Sequence, residues 1–202
     1  MTIRHALAAD LPNLETALAD AFRDDPINIW IMGEELDTAT RVSRSAVGFF
    51  RPALAAGLQR GHCYAHVDDG GRVSGAAIWS PPDVEMLTEV EGNVFGMGVH
   101  AESGDAALER LMSVGACVGA HHPHDRPHFY LFILGAMDKG KGVGGELLAP
   151  VLARCDADGL PAYLESSNGR NVGFYERLGF VVQWEDAPQG GPVMRGMWRE
   201  PA

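Results

Sequence analysis

Short hydrophobic runs alternate along the chain with helix-spaced hydrophobic stripes, so the pattern predicts both strands and helices. The short runs indicate a first strand, a hairpin with an Asp- and Gly-rich loop, and a terminal antiparallel pair across a Pro- and Gly-rich turn. We expect these strands at residues 2–6, 62–67, 72–80, 180–184 and 193–198.

Helical spacing of apolar residues predicts three helices in the first 120 residues. They cover residues 11–22, 38–60 and 105–119. Asp10 is the predicted N-cap of the first helix, which residues 24–26 should end, and Pro52 should break or kink the second. Residues 27–33 are predicted to form an apolar loop, and residues 83–104 show no regular period.

The stretch 127–146 combines a strand, a glycine loop and a helix. Residues 129–134 are all apolar or aromatic, which predicts a strand buried on both faces of a sheet. Four glycines follow within 140–145, and a helical stripe then passes Pro150, where a kink is expected. Unpaired amides at the positive end of a helix dipole suit a phosphate group. Neither the Walker nor the Rossmann spacing is complete, so a phosphate site and a simple tight turn both remain open.

A second motif follows 20 to 40 residues later, where a predicted strand at 162–167 precedes the segment N-G-R-N-V-G-F-Y-E-R-L-G-F. With both motifs in order, the chain resembles the GCN5-related N-acetyltransferase (GNAT) superfamily. Within it, the chain looks most like the puromycin N-acetyltransferase group of small-molecule enzymes. Residues 139–144 match the family's glycine motif, and its late motif is matched by Asn171, Phe174, Tyr175, Gly179 and Phe180.

The resemblance implies an α/β fold over a single domain, residues 1–202: a mixed, mostly antiparallel sheet with splayed central strands, flanked by helices. It also implies acetyl-CoA as co-substrate and direct transfer of the acetyl group to a primary amine, without a metal. The connection before the glycine loop departs from the family pattern, because it is shorter, lacks a proline and has Lys139 at the Gln/Arg position. The residues expected to bind acetyl-CoA are Leu134, Gly135, Ala136, Lys139, Gly140, Lys141, Gly142, Val143, Gly144, Gly145 and Asn171.

Three residues are candidates for catalysis. Tyr175 is predicted to protonate the departing thiolate, and Asn171 to cap the helix that carries it. Glu165, on a central strand, is the predicted base for the amine, since a carboxylate there is costly unless it is paired or faces a watered cleft. His128 is the alternative base, and pairing of Glu165 with Arg170 is the structural alternative.

Composition limits the partners. A formal net charge of −11 argues against binding of nucleic acid. The chain has no run of 18 apolar residues and no signal peptide, which predicts a cytoplasmic protein that does not bind membranes. Three widely spaced cysteines predict neither a disulfide framework nor a zinc motif. The histidine-rich segment 121–128 is read as a solvated loop in preference to a metal site. The partner is predicted to be a small-molecule amine, and a homodimer is compatible with the sequence.

Two other functions remain open at this point. One is a non-catalytic acyl-CoA-binding or regulatory module, which the shortened connection favours. The other is a protein N-acetyltransferase, which would need an open peptide groove.

Overall fold

A seven-stranded mixed sheet forms the centre of the structure, a computed structural model that describes residues 1–137 and 139–202. Its strands lie in the order β1-β2-β3-β4-β5-β7-β6, and within the described residues only β4 and β5 run parallel. The strands are β1 (Thr2–His5), β2 (Cys63–Val67), β3 (Val73–Ser80), β4 (Phe129–Ala136), β5 (Ala162–Ser166), β6 (Val181–Asp186) and β7 (Met194–Arg199).

Seven α-helices surround the sheet in the described part of the chain. They are α1 (Leu11–Ala21), α2 (Pro26–Met32), α3 (Thr38–Ser45), α4 (Arg51–Gln59), α5 (Glu89–His121), α6 (Val143–Asp158) and α7 (Val172–Glu176). A π-helical segment, Ala46–Phe50, joins α3 to α4, which begins with Pro52 in its first turn. None of the helices described is long and apolar enough to cross a membrane.

Two hydrophobic clusters fill the two faces of the sheet. Leu18 of α1 packs with Ile78 in one cluster, whereas Leu147 of α6 packs with Trp79 in the other. Ile78 and Trp79 are neighbours in β3, so their side chains point to opposite faces, and both are fully buried. The sheet is therefore covered by helices on both sides, as the α/β prediction required.

The parallel pair β4–β5 is held together over a short distance only. Tyr130 pairs with Tyr163 and Leu131 with Leu164, after which β4 continues to Ala136 without pairing to β5. The strands splay apart beyond this point, which confirms the predicted split in the sheet. β4 remains paired with β3 on its other side, so the split exposes one edge of β4 inside the sheet. Such an edge can pair with an extended ligand.

Most predicted elements are present, but two local predictions differ from the structure. Residues 27–33 are not a loop, because α2 begins at Pro26, with the Asp25 carboxylate accepting from the amides of Ile27 (3.1 Å) and Asn28 (3.3 Å). Asp-Pro is thus an N-cap followed by a proline in the first turn of a helix. Asp10 occupies the N-cap position of α1, but its side chain makes no capping bond; its carboxylate bonds to Arg4 and to the amide of Leu7.

Residues 83–104, for which the sequence predicted no element, mostly belong to α5. Thr88 and Glu91 form a capping box at the start of this helix, which bends at Gly104, where φ is 79°. One glycine in this stretch, Gly98, allows close packing against a distant segment of backbone. A Cβ on Gly98 would lie 2.7 Å from the carbonyl oxygen of Gly48. Helix α6 is continuous through Pro150, the position at which a kink is predicted.

Strand β4 also differs from its prediction. Its residues alternate between buried and half-buried, so the strand is not fully buried on both faces. The half-buried side chains include Phe132 and Leu134, which line cavities described below. A strand that borders an internal cavity has the composition of a core strand without being fully enclosed.

We expect Gly98→Ala to destabilise the fold by about 1–3 kcal/mol, because the added methyl group would collide with backbone. Gly92→Ala on the same helix is the matched control, since its Cβ meets no atom within 4 Å. That variant should be neutral or more stable by about 0.5–1 kcal/mol, owing to the better helix propensity of alanine. Urea unfolding of both variants tests the close approach, and equal stabilities would contradict it.

Candidate active site

The glycine loop leads directly into α6 and leaves the first amides of that helix without a side-chain cap. Gly140 and Gly142 have φ values of 81° and 88°, a region that other residues rarely adopt. Gly142 is the N-cap residue of α6 and has no side chain to bond to the amides that follow. The loop therefore presents unpaired N–H groups at the positive end of the helix, as an anion site needs.

A cavity of about 550 Å³ lies over this loop. The walls come from the end of α1, the free edge of β4, the glycine loop and α7. Lys141 and Gly145 are not part of its lining, whereas nine of the residues predicted to bind the co-substrate are. These nine are Leu134, Gly135, Ala136, Lys139, Gly140, Gly142, Val143, Gly144 and Asn171. The connection before the loop contains Asp138, which lies outside the described residues.

Sequence analysis missed two cationic residues on this cavity. Arg170 and Arg177 line it together with Lys139. Arg170 was considered only as a partner for Glu165, yet it precedes the late motif, and Arg177 lies inside that motif. Their place beside and within the late motif was the available signal. Three cations around unpaired amides suit a ligand that carries several negative charges.

A second cavity, of about 280 Å³, lies on the other side of β4 and β5. Most of its lining is apolar and comes from α2, the π-helical segment, α5 and β4. The side chains include Ile31, Phe49, Phe95, Leu111, Val114, Val118, Tyr130, Phe132 and Met194. We call this the apolar cavity, and the one over the glycine loop the loop cavity.

The two cavities meet where β4 and β5 separate. Five residues line both of them: Phe22, Asp25, Leu134, Asn171 and Tyr175. Tyr175 is only 7% exposed, and no hydrogen bond joins its hydroxyl to another described residue. Burial, and secondarily the nearby Asp25, raises the pKa of Tyr175, so its hydroxyl stays protonated at neutral pH.

Asp25 is the carboxylate at this junction, and the sequence analysis took it only as the end of a helix. It is 7% exposed and accepts hydrogen bonds from the amides that start α2 and from the hydroxyl of Ser167, at 2.8 and 2.9 Å. Burial raises the pKa of Asp25 despite these hydrogen bonds. A buried carboxyl with a raised pKa is well suited to accept a proton.

Glu165 lies in β5 and lines the apolar cavity, with only 4% of its side chain exposed. Its partner is His122, whose Nδ1 is 3.2 Å from a carboxylate oxygen, so the suggested pairing with Arg170 is wrong. The carboxylate thus lies in the apolar cavity, beside the end of α5.

His128 lines neither cavity. Its ring packs among His122, Tyr163 and Trp198, and its Nδ1–H donates to the carbonyl oxygen of Arg126 at 2.8 Å. Burial lowers the pKa of this imidazole. His128 therefore lies outside the cleft, contrary to its predicted position.

Two further predictions concern local bonding. Asn171 occupies the N-cap position of α7, but its side chain makes no capping bond. Asn168 instead caps the 3₁₀ turn Gly169–Asn171 that precedes α7, accepting from the amide of Arg170 at 3.1 Å. In the histidine-rich segment, His121 bonds to Asp186 and His122 to Glu165. No group of three or more potential metal ligands comes together among the residues that the structure describes.

Comparison with known proteins identifies the family. Residues 99–197 match the model of the acetyltransferase (GNAT) domain. The chain is an N-acetyltransferase of the GNAT family. An uncharacterised N-acetyltransferase of Schizosaccharomyces pombe is 28% identical over 195 residues, which cover 91% of this chain and 75% of that protein. Membership in the family implies acetyl-CoA as co-substrate, but nothing in the comparisons singles out the puromycin group.

Solved structures confirm the GNAT fold. One, described as histone acetyltransferase HPA2 and related acetyltransferase from Corynebacterium glutamicum, has a TM-score of 0.68 at 24% identity, covering 100% of this chain and 96% of that one. A Drosophila melanogaster polyamine N-acetyltransferase has a TM-score of 0.63 at 15% identity, covering 98% and 99%. The arylalkylamine N-acetyltransferase 2 of Aedes aegypti has a TM-score of 0.61 at 12% identity, covering 100% and 99%.

We expect Gly144→Val to weaken binding of acetyl-CoA about tenfold or more, because the side chain would enter the wall of the loop cavity. A Cβ at this position already lies 3.3 Å from the ring of Phe174. Gly145→Val is the matched control, since its Cβ meets nothing within 4 Å and the residue does not line the cavity. Calorimetric titration with acetyl-CoA measures both affinities. Equal weakening in both variants would contradict the assignment of this wall.

Proposed function

We propose that this enzyme transfers the acetyl group of acetyl-CoA directly to a primary amine of a small molecule. The observation that carries the proposal is the junction of the two cavities at Asp25 and Tyr175. The loop cavity offers unpaired amides and cations for the phosphates of the coenzyme. Its pantetheine arm would pair with the free edge of β4 near Leu134 and Ala136, which brings the thioester to the junction.

The acceptor amine would approach from the apolar cavity. Its nitrogen attacks the thioester carbonyl, so that a carbon–nitrogen bond forms, and the carbon–sulfur bond breaks as the tetrahedral intermediate collapses. One amine proton must leave and one proton must reach the departing sulfur. Tyr175 is protonated at neutral pH and would supply the proton to the thiolate. The products are an N-acetyl amine and the free thiol of coenzyme A.

Two carboxylates on the acceptor side are candidates to receive the amine proton. Asp25 lies at the junction and is our choice for the base, whereas Glu165 lines only the apolar cavity and is bonded to His122. His128 is the third candidate, but it is separated from the cavity by its packing against Tyr163. We expect no metal to be needed, because both proton transfers are assigned to side chains.

Release of coenzyme A thiol from acetyl-CoA, measured against a panel of amines, aminonucleosides and peptides, tests the proposed function. We expect turnover with small primary amines. Turnover confined to peptides would instead favour protein N-acetylation, and the small-molecule assignment would be wrong.

Tyr175→Phe should lower kcat by about 10²- to 10⁴-fold, the usual contribution of a general acid. Affinity for acetyl-CoA should change little, since the variant loses only a hydroxyl that bonds to no described residue. Steady-state kinetics and calorimetry measure the two effects separately. A near-normal kcat would rule out the proposed role.

The pH dependence of kcat/KM should identify the base. Because the deprotonated carboxylate is the active form, kcat/KM should rise with pH through the raised pKa of Asp25. Asp25→Asn should lower the rate and remove this acidic limb. Glu165→Gln should raise KM and leave the limb in place. Loss of the limb in Glu165→Gln or His128→Gln, with retention in Asp25→Asn, would move the role to that residue.

A further inference from the structure

The polar groups of the apolar cavity come from few elements. They belong to the junction, to Tyr130 of β4 and to the end of β5, where Glu165, Ser166 and Ser167 follow one another. Every lining residue contributed by α2, by the π-helical segment and by α5 is apolar or glycine. The cavity thus has one end that can hold an amine and one side that can accept only uncharged groups.

A second cation in the substrate would have no partner on the apolar side. Phe49, Phe95 and Leu111 form that part of the wall, and Phe95 is only 7% exposed. Burying an unpaired ammonium group among such side chains is strongly unfavourable. Glu165 is already bonded to His122, so it does not relieve this cost.

The cavity opens along α5. Gly115 lines it and is itself exposed, and a Cβ at this position would meet no atom within 4 Å. Val114 and Val118 flank the same opening and are half-buried. The volume of about 280 Å³ lies near the lower limit of small-molecule sites, about 300 Å³, and is too small for a folded peptide segment.

We propose that the acceptor is a lipophilic primary monoamine, with its nitrogen at Asp25 and an uncharged alkyl or aryl body in the apolar cavity, and that it enters past Gly115. This inference rests on the proposed function and narrows its substrate class. It excludes polyamines and peptide N-termini as preferred acceptors.

A matched pair of amines tests the class. n-Pentylamine and 1,4-diaminobutane have the same number of non-hydrogen atoms and differ only in a terminal methyl or ammonium group. We expect kcat/KM to be at least about tenfold higher for n-pentylamine, and its Kd for the enzyme–coenzyme A complex to be lower by a similar factor. In a series of n-alkylamines from ethyl to pentyl, affinity should improve about fourfold per methylene.

Binding and turnover separate the two proposals. Binding of n-pentylamine without thiol release would overturn the proposed function and leave the binding class supported. Thiol release with a preference for 1,4-diaminobutane or for a peptide would support acetyl transfer and overturn the lipophilic class. Failure of n-pentylamine and 2-phenylethylamine to bind in calorimetry would also overturn it.

Gly115→Leu tests the entrance, with Gly119→Leu as the matched control on the same helix. A Cβ at either glycine meets no atom within 4 Å, but only Gly115 lines the cavity. Gly115→Leu should lower kcat/KM for 2-phenylethylamine about tenfold and that for ethylamine about twofold at most. Gly119→Leu should leave both unchanged, and neither variant should alter the Kd of acetyl-CoA. Equal kinetics of the two variants with 2-phenylethylamine would overturn the entry route.

Discussion

The short pairing between β4 and β5 is the constraint on which the site depends. The two strands are hydrogen-bonded from Phe129–Ala162 to Leu131–Leu164, and then they separate. A continuous sheet would bury this region and leave no room for a ligand. Because the strands separate in mid-sheet, one edge of β4 is free for a coenzyme and a cavity opens on the acceptor side. Both halves of the site therefore originate in one departure from regular sheet pairing.

Asp25 ties the two halves of the chain together at this opening. Its carboxylate caps α2 and also accepts from Ser167, which follows β5, so the N-terminal helices are bonded to the separated end of the sheet. Gly135 contributes to the same closure, since a Cβ there would lie 2.6 Å from the side chain of Leu18 in α1. The wall between the cavities thus consists of α1, which packs closely on Gly135 of β4, and of the buried hydrogen bonds between Ser167 and Asp25.

Cationic side chains lie on one side of the junction only. Lys139, Arg170 and Arg177 line the loop cavity together with the carboxylates Asp24 and Asp25, whereas no lysine or arginine is among the described residues that line the apolar cavity. Under the proposed function, the cations would attract the polyanionic coenzyme to the loop cavity. The net charge of −11 alone could not reveal this arrangement, because it does not say where the cations lie.

The sequence by itself determined most strands and helices, the glycine loop and the late motif that carries Tyr175, and the family resemblance carried by the two motifs implied the fold class. The elements and motifs depend on periodicity and on residues close together along the chain, which act through local backbone geometry. Only the tertiary structure decided the roles open to Asp25, Arg170 and Arg177. Asp25 and Ser167 are 142 residues apart in sequence, and no local pattern indicates such a contact. The role of Gly98 in α5 was hidden for the same reason, since the backbone of Gly48 against which it packs comes from a distant segment of the chain.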